Sequence, residues 1–429
     1  MTVPKNSREY LLMSDQPSSP DCLAGAVPID QRLTRYRFVI AGVIAALAFT
    51  GGLSFFATGP ITPLIIDHYG ISHAAASLLI GLVALVHVVF AIPVSTLIGR
   101  VDLKLLIMLG ALAGCAPLFS FLAADSYPLL LAIRVTYGLG FVILFPASGP
   151  LLMQWFQPRE LPLANGIFIT MTSLGVATSS FGVSPLSGAI GWDAALSVFG
   201  GLSLLAAVAW LVLGRAQIRA SESESSSVMR RLREVLSART TLLVVAADAG
   251  PFALLTVSLA WLPTYYNEVH EMSLAKAGVL MGIVSLSGVI ALIVASLAAT
   301  RVERRRPFLV IPGIIVGFAG LGTFLLADSA AVYLAVVVLG FATWFYVPVL
   351  MTIPMELYPA DSNRVSVIFA SILLLGGIAN FVAPLVVGTV ADLTGSFAPA
   401  LALFAVLAWS LGVMGFLLPE TGPVRRAAG

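Results

Sequence analysis

The sequence predicts an all-α membrane protein in which twelve transmembrane helices form two parallel repeats of six. Three observations predict this class: the composition, the number of long apolar runs, and an internal repeat. Of the 429 residues, 59% are hydrophobic and only 10% are charged, whereas soluble domains carry about 25% charged residues. Most of the surface must therefore face lipid. The formal net charge of +2 gives no support to nucleic-acid binding.

Twelve runs of the sequence are long and apolar enough to cross a bilayer, because a spanning helix needs about 20 mostly apolar residues. We number them span 1 to span 12, and they comprise residues 38–58, 74–98, 104–124, 128–153, 162–190, 194–214, 241–266, 274–299, 307–327, 330–355, 365–391 and 397–418. They divide the chain into a disordered cytoplasmic N-terminal tail (1–37), a six-helix half (38–214), a cytoplasmic linker (215–240), a second six-helix half (241–418) and a cytoplasmic C-terminal tail (419–429). In the linker, apolar residues about one helical turn apart among arginines predict an amphipathic helix on the membrane surface.

The two halves are copies of one unit, because residues 67–104 align with residues 268–305 without a gap. Identical or similar residues recur in the same order: Ser72 with Ser273, Gly81 with Gly282, Arg100 with Arg301, and Asp102 with Glu303. A repeat that contains a span and the charged turns at both its ends indicates a duplicated membrane unit. Since six spans return the chain to the side on which it entered, the copies are parallel, and a central cavity is expected between them.

The lysines and arginines predict the orientation of the chain. Outside the spans they lie almost entirely in the tails, the linker and the loops on the same side, and only Lys276 lies in an opposite loop. Cytoplasmic loops of membrane proteins carry an excess of Lys and Arg. We therefore expect a multi-pass protein of the cell membrane with both termini in the cytoplasm.

Several motifs resemble those of the major facilitator superfamily. The loop between spans 2 and 3 (95–104) and its copy (296–305) are similar to the family's Gly-x-Leu-x-Asp-Arg-x-Gly-Arg-Arg turn. Span 4 carries an Arg-x-x-x-Gly-x-Gly motif that begins at Arg134, and residues 155–166 form a phrase common in the family. The resemblance covers the whole chain and implies a cavity lined by spans 1, 4, 7 and 10. Residues 261–266 resemble the cyanate/nitroimidazole-type permease branch, although the branch's usual Asn/Arg pair in span 1 is missing.

The loops that carry the repeated turn also depart from the family. The acidic residue by which the family latches the cytoplasmic ends of its halves is replaced by Gly99, and the second copy also lacks it. We predict that Asp102 and Glu303, three residues downstream, take over this gating role together with Arg100 and Arg301. The alternative is that both acids only pair with neighbouring arginines in solvated turns.

Ionisable residues inside a span are candidate functional residues, because a charge there costs at least ~2.5–3.5 kcal/mol. Arg134 in span 4 could hold an anionic group or relay protons, or it could be a structural donor to backbone carbonyls. Asp248 in span 7 could carry a coupling proton, because burial disfavours its charged form, or it could reach water or Arg239. His87 in span 2 is a second candidate for proton coupling, and its alternative is a neutral histidine bonded to a neighbouring helix.

Polar and aromatic side chains in the inner parts of the spans are candidate substrate contacts. Besides Arg134 they are Thr50, Ser54, Tyr137, Trp344, Tyr346 and Asn380. Helix packing is the alternative for each. The aromatic residues at the outer end of span 7 are expected to anchor it in the membrane interface: Trp261, Tyr265 and Tyr266. The histidines of the outer loops are expected to be solvated: His68, His73 and His270.

These features predict a secondary active transporter that moves a small solute by rocking its two halves about one central site, with a proton as the coupling ion. One buried arginine and few buried acids favour a small organic or inorganic anion as the solute. Asp248 in a large apolar cavity would instead suit the efflux of a drug or amphipathic cation. A non-transporting membrane receptor or scaffold is the alternative of another class.

The sequence carries no pattern of an enzyme or of a metal site. It has no Gly-x4-Gly-Lys-Ser/Thr loop, no His-Glu-x-x-His and no Gly-x-Ser-x-Gly, and Cys22 and Cys115 have no metal-binding spacing. We therefore expect no catalytic residues, no cofactor and no bound metal. The expected partners are a small-molecule substrate, a coupling proton and the lipid bilayer, and a monomer is expected.

Overall fold

The computed structural model describes residues 35–98, 100–157, 160–216, 239–299, 301–302, 304–358 and 362–421. Within these ranges the regular structure is helical throughout, with no β-strand and only one isolated bridge between Ile98 and Val101. Most of both predicted tails, the predicted amphipathic helix of the linker, and Glu303 lie outside the described residues.

The first half contains the helical segments of spans 1 to 6. They are Tyr36–Phe55, Gly59–Ile61 and Thr62–Tyr69 in span 1; His73–Ala76 and Leu78–Leu97 in span 2; Leu103–Gly114 and Ala116–Ala123 in span 3; Tyr127–Trp155 in span 4; Leu161–Ile190 in span 5; and Trp192–Leu213 in span 6. Span 1 therefore continues past its predicted end at residue 58 and reaches Tyr69.

The second half contains the helical segments of spans 7 to 12. They are Arg239–His270 in span 7; Leu274–Ala299 in span 8; Pro307–Leu325 in span 9; Ala331–Phe345 and Val347–Leu357 in span 10; Ser362–Thr394 in span 11; and Ala398–Leu407 and Ser410–Leu417 in span 12. Of the described helices, 11 are long and apolar enough to cross a membrane, and span 2 contributes the shorter apolar stretch Leu78–Ala91. The predicted fold class is confirmed.

The repeat seen in the sequence has a counterpart in the helix caps. At the start of span 2 the Ser72 hydroxyl accepts a hydrogen bond from the Ala75 backbone N–H at 3.2 Å. At the start of span 8 the Ser273 hydroxyl accepts from the Lys276 backbone N–H at 3.4 Å. A serine cap satisfies one of the N–H groups that a helix start leaves without a partner. The aligned serines are therefore alike because each begins the same helix of its repeat.

The aromatic residues at the end of span 7 are buried in the protein and do not form the expected interfacial belt. Tyr266 donates to the Thr323 carbonyl oxygen at 2.6 Å, Tyr265 donates to the Phe324 carbonyl oxygen at 3.2 Å, and Trp261 is only 1% exposed. These rings pack span 7 against spans 9 and 11, because a buried ring with a polar tip needs a hydrogen-bond partner. Hydropathy alone does not distinguish a ring buried between helices from one at the membrane interface.

The two halves pack tightly at one face of the bundle. We call the face that carries the start of span 1 the proximal face, and the opposite face the distal face. In the distal halves of the spans, a Cβ atom at Gly59 would lie 2.3 Å from the Leu259 carbonyl oxygen. A Cβ atom at Gly278 would lie 2.5 Å from the Ser180 carbonyl oxygen. Backbones approach this closely only where one residue lacks a side chain, so the structure is closed at its distal face.

Two ion pairs among the described residues of the proximal face each join residues of the same half. Arg37 Nη1 lies 2.9 Å from Glu160 Oε2 in the first half. Arg305 Nη2 lies 2.9 Å from Glu356 Oε1 in the second half. Each of these two pairs stabilises one half.

Candidate functional site

Arg134 lies beside an interruption of span 1. The helix Tyr36–Phe55 ends before the next segment of the span begins at Gly59, so its last carbonyl groups lack helical partners. Arg134 Nη1 donates to the Ser54 carbonyl oxygen at 2.7 Å, and Nη2 donates to the Phe55 carbonyl oxygen at 2.8 Å. Its Nε donates to the Leu79 carbonyl oxygen of span 2 at 2.7 Å. Arg134 thus joins spans 1, 2 and 4, which agrees with the structural alternative for this residue.

The charge of Arg134 remains uncompensated by these bonds. The side chain is only 2% exposed, and the three bonds to spans 1 and 2 end on neutral carbonyl oxygens. A guanidinium group has five N–H donors and stays charged in proteins. The ring of Tyr137 lies 5.2 Å from the guanidinium carbon and adds a cation–π contact. The first half therefore holds a buried positive charge near the interruption of span 1.

Three further predicted contacts lie around the same part of span 1. Tyr137 donates to the Gly51 carbonyl oxygen, and Thr50 donates to the Leu47 carbonyl oxygen at 3.2 Å. Thr50 and Tyr137 line a cavity of about 10 Å³ inside the first half, which has room for about one water molecule. In this state the cavity cannot hold an organic solute. The roles of Thr50, Ser54 and Tyr137 in substrate binding stay predictions.

Asp248 and Tyr346 form a buried pair in the second half. Span 10 is interrupted at Tyr346, between Phe345 and Val347, and the Tyr346 hydroxyl donates to Asp248 Oδ1 at 2.9 Å. Asp248 is 6% exposed, so it does not reach bulk water as the alternative supposed. Burying a carboxylate without a cationic partner is costly. The geometry therefore keeps Asp248 a candidate proton carrier, which stays a prediction.

Asp248 is the first of three residues on one face of span 7 that contact spans 10 and 11. Phe252 and Thr256 follow at steps of four, which places all three on one face of a helix. The Phe252 ring lies 5.9 Å from the Trp344 ring, and the Thr256 hydroxyl donates to Asn380 Oδ1. Sequence reasoning missed Phe252 and Thr256, although their spacing from Asp248 was a signal that could have found them.

His87 and the predicted gating residues are not brought together with these groups. The His87 ring is partly buried in span 2, 6.1 Å from the Phe141 ring of span 4. Asp102 caps span 3, where its Oδ1 accepts from the Lys104 backbone N–H at 2.8 Å, and Arg100 and Arg301 are exposed. The proton-coupling role of His87 and the latch formed with Glu303 stay predictions.

The histidines of the distal face have partners and are not simply solvated. His270 Nδ1 lies 2.6 Å from Asp328 Oδ1, and His68 Nε2 lies 2.6 Å from the Ala124 carbonyl oxygen. His73 lies between Glu268 and Asp392, which belong to the other half. These pairings join residues that are far apart in the sequence, so the sequence offered no local signal for them.

Comparison with known proteins places these features in a family. A sequence model described as Major Facilitator Superfamily matches residues 44–384. The probable nitrate transporter NarT of Staphylococcus carnosus is 23% identical over 360 residues, which cover 81% of this chain and 88% of NarT. The hexuronate transporter of Bacillus subtilis is 24% identical over 317 residues, which cover 68% of this chain and 74% of that protein.

A solved structure has the same fold. The crystal structure of a D-xylose-proton symporter superposes with a TM-score of 0.68 at 15% sequence identity, and the match covers 90% of this chain and 99% of that one. The expectations of a secondary active transporter and of no enzymatic activity are confirmed at the level of the family. The chain belongs to the Major Facilitator Superfamily.

Proposed function

We propose that this transporter carries a small organic or inorganic anion together with a proton, and exposes one central site to the two faces in turn. The observation that carries the proposal is the charge of Arg134, which is buried at the interruption of span 1 and, among the described residues, is hydrogen-bonded to neutral carbonyl oxygens. Such a charge attracts anions through the low-dielectric interior. Nitrate and hexuronate, named for two of its relatives, are anions.

Two buried hydroxyl groups at the interruption of span 1 support an anion site. Ser54 and Thr58 flank the interruption of span 1, are 1% and 0% exposed, and have side-chain oxygens without a hydrogen-bond partner among the described residues. A buried polar group without a partner costs about 1–3 kcal/mol. An anion that accepts hydrogen bonds from these hydroxyls would recover that cost. Trp344, Tyr346, Thr50, Tyr137 and Asn380 complete the proposed substrate-binding set.

The proposed coupling proton is carried by Asp248, with His87 as a second candidate. Asp248 is buried and bonded to the hydroxyl of Tyr346 at the interruption of span 10. A proton that moves with a monovalent anion cancels its charge. Uptake is then not opposed by the membrane potential, which costs about 2.3 kcal/mol per charge for each 100 mV. Proton coupling therefore gives an anion importer a physical advantage.

The surroundings of the protein are also part of the proposal. We propose that it is a monomer of the cell membrane, divided at the boundaries predicted above, with its proximal face and both termini in the cytoplasm and with a gate of Arg100, Asp102, Arg301 and Glu303 at that face. Labelling of Ala330→Cys at the distal face by a membrane-impermeant maleimide in intact cells tests the orientation. Protection of that cysteine until the cells are permeabilised would reverse it.

Three other interpretations of the sequence are weaker: a permease branch, cation efflux and a receptor role. Membership of the cyanate/nitroimidazole-type branch rests on residues 261–266 alone, where Trp261 donates to the Pro384 carbonyl oxygen and so has a packing role. Efflux of amphipathic cations and a non-transporting receptor role are not favoured, because these relatives are named as transporters of nitrate and of hexuronate.

The test is anion uptake by the purified full-length chain in liposomes, with nitrate and glucuronate as probes and with acid outside. We expect accumulation that depends on the proton gradient, and thermal stabilisation of the detergent-purified protein by the transported anion. Arg134→Gln should abolish that stabilisation, and Arg134→Lys should retain part of it because the charge remains. Arg304→Lys, at an exposed arginine, is the matched control. Stabilisation by lipophilic cations and by no anion would overturn the proposal.

A further inference from the structure

The distal seam between the two halves contains a histidine held between two acids. His73, at the start of span 2, belongs to the first half, whereas Glu268 near the end of span 7 and Asp392 near the end of span 11 belong to the second. His73 Nδ1 lies 2.8 Å from Asp392 Oδ1, and His73 Nε2 lies 3.1 Å from Glu268 Oε2. Each ring nitrogen therefore contacts a different carboxylate across the seam.

Two simultaneous contacts of this kind require a doubly protonated ring. Carboxylates only accept hydrogen bonds, and a neutral imidazole has a single N–H to donate. In the neutral ring the second nitrogen would direct its lone pair at a carboxylate oxygen, which is repulsive. The pKa of His73 is raised above the ordinary histidine value, chiefly by its hydrogen bond to Glu268, and the bond to Asp392 acts in the same direction against partial burial.

The second half holds His73 in place through several further contacts. Asp392 also accepts from the backbone N–H of His73 at 2.9 Å and from that of Ala74 at 2.8 Å. A Cβ atom at Gly388 would lie 2.6 Å from the His73 carbonyl oxygen, so only glycine permits this approach. The rings of Trp261 and Phe397 lie 5.7 Å and 5.1 Å from the imidazole. The imidazole is therefore positioned by the closed state itself.

Among the described residues, Glu268 and Asp392 are the charged groups that raise the pKa of His73. Both contribute to its raised pKa, and span 4 contributes the Tyr127 hydroxyl, which donates to the nearby Ala75 carbonyl oxygen at 2.6 Å. Within the described part of the chain, no group of three or more histidine, cysteine, aspartate or glutamate side chains is placed to hold a metal ion. The imidazole lies between the two carboxylates, so the ligand that fits this arrangement is a proton.

We propose that His73, Glu268 and Asp392 form a proton-binding site at the seam, and that the bound proton holds the distal face closed. The contacts exist only while the halves meet, because the base and the acids belong to different halves. Closure is therefore favoured below the ordinary histidine value of about 6.5. This contribution of the proton to closure is lost as the pH rises through the raised pKa of His73 in the closed state. The His73 side chain is 24% exposed, so it can exchange protons with water at that face.

The test measures the distance between the two halves at the distal face. Spin labels at Asp125→Cys and Ala330→Cys, in the full-length chain with Cys22→Ser and Cys115→Ala, report this distance by double electron–electron resonance in lipid nanodiscs without substrate. We expect the long-distance, open population to grow about five- to tenfold relative to the closed one between pH 5 and pH 9, the size expected for charge-assisted bonds at a partly exposed site.

Four variants separate the proposed site from a general effect of pH. His73→Gln should lose the pH response and raise the open population at pH 5, and His73→Arg should stay closed at both pH values because its charge is permanent. Glu268→Gln should weaken the response. His270→Gln is the matched control, because His270 contacts Asp328 within one half at 2.6 Å, and it should respond like the parent.

Three results would overturn the proposal: a parent distribution that does not change with pH, an unchanged response in His73→Gln, or loss of the response in His270→Gln. Should His73→Gln fail to fold, the proposal is overturned if His73→Arg opens as the pH rises or if Glu268→Gln keeps the full pH response. The inference rests on the two-half fold and is independent of the substrate. Absence of anion transport would count against the proposed function and would leave these distances unaffected.

Discussion

Gly278→Ala should open the distal face by steric conflict between spans 8 and 5. A Cβ atom at this position would lie 2.5 Å from the Ser180 carbonyl oxygen and 3.3 Å from Ser184 Oγ. The carbonyl oxygen belongs to the backbone of the other half, so it cannot rotate away as a side chain could. The conflict exists only while the halves are in contact, and separation of the distal ends relieves it.

The size of the effect follows from the distance. An ordinary contact at this position needs about 3.4 Å, so the two helices must separate by about 1 Å. Overpacking of this kind typically costs about 1–3 kcal/mol. That cost falls on the closed state alone, which corresponds to about a 5- to 150-fold shift toward the open state.

Distance measurements between labels at Asp125→Cys and Ala330→Cys provide the assay, and thermal unfolding provides the comparison. Gly182→Ala is the matched control, since Gly182 lies on the same helix as Ser180 and a Cβ atom there meets nothing within 4 Å. Gly175→Ala should behave differently from both, because its Cβ atom would lie 2.1 Å from the Phe49 carbonyl oxygen of the same half. It should therefore lower the unfolding temperature without favouring the open state.

One result would refute this reasoning directly. If Gly278→Ala lowers the unfolding temperature as Gly175→Ala does and leaves the distal distance unchanged, the contact between spans 5 and 8 is part of a permanent core. The halves would then not separate at this seam. Equal distance distributions for Gly278→Ala and Gly182→Ala, with equal unfolding temperatures, would show that the close approach costs nothing.

Three further changes test the candidate site. Asp248→Asn should abolish proton-driven accumulation of the anion in liposomes, because the amide cannot carry the proton, and should leave anion exchange at equilibrium intact. Equal loss of both activities would contradict a proton-carrying role for Asp248. Arg134→Lys should lower the free energy of unfolding by about 1–3 kcal/mol, because one ammonium group cannot donate to the carbonyl oxygens of Ser54, Phe55 and Leu79 together. Unchanged stability in thermal or denaturant unfolding would show that water donates to these oxygens in the variant. Thr256→Val should cost about 1 kcal/mol of stability by leaving Asn380 Oδ1 without its donor. The control is Thr352→Val, whose hydroxyl donates to the Val349 carbonyl oxygen of the same helix.

The spans could be predicted because hydropathy is a local property of the chain. A run of about 20 apolar residues must be helical in a bilayer, since each backbone polar group needs an internal partner. The repeat added more, because the alignment of Ser72 with Ser273 predicts equivalent helix starts, and both serines cap their helices in the structure. Local pattern and duplication together were enough for the fold.

The interruptions of the helices could not be predicted in this way. The interruption of span 1 after Phe55 exposes carbonyl groups that Arg134, 79 residues further along, satisfies. The bond between Tyr346 and Asp248 spans 98 residues and depends on the interruption of span 10. Both are consequences of tertiary packing that a sliding window does not contain. The stripe of Asp248, Phe252 and Thr256 is different, because its spacing was visible and only its partners were not.

The seam also departs from the symmetry of the repeat, and this departure bears on mechanism. Glu268 aligns with Asp67, but His73 aligns with Leu274, so the second copy has no histidine to pair with Asp67. The close glycine approaches occur between spans 1 and 7, between spans 5 and 8, and between spans 2 and 11, and they do not depend on pH. Two kinds of contact therefore close the distal face. Close glycine contacts join three pairs of spans across the seam, and the protonated cluster of His73, Glu268 and Asp392 occurs only on the side of spans 2, 7 and 11. An acid environment at that face adds to a closure that packing already favours, so neutral His73 should weaken the seam without abolishing it.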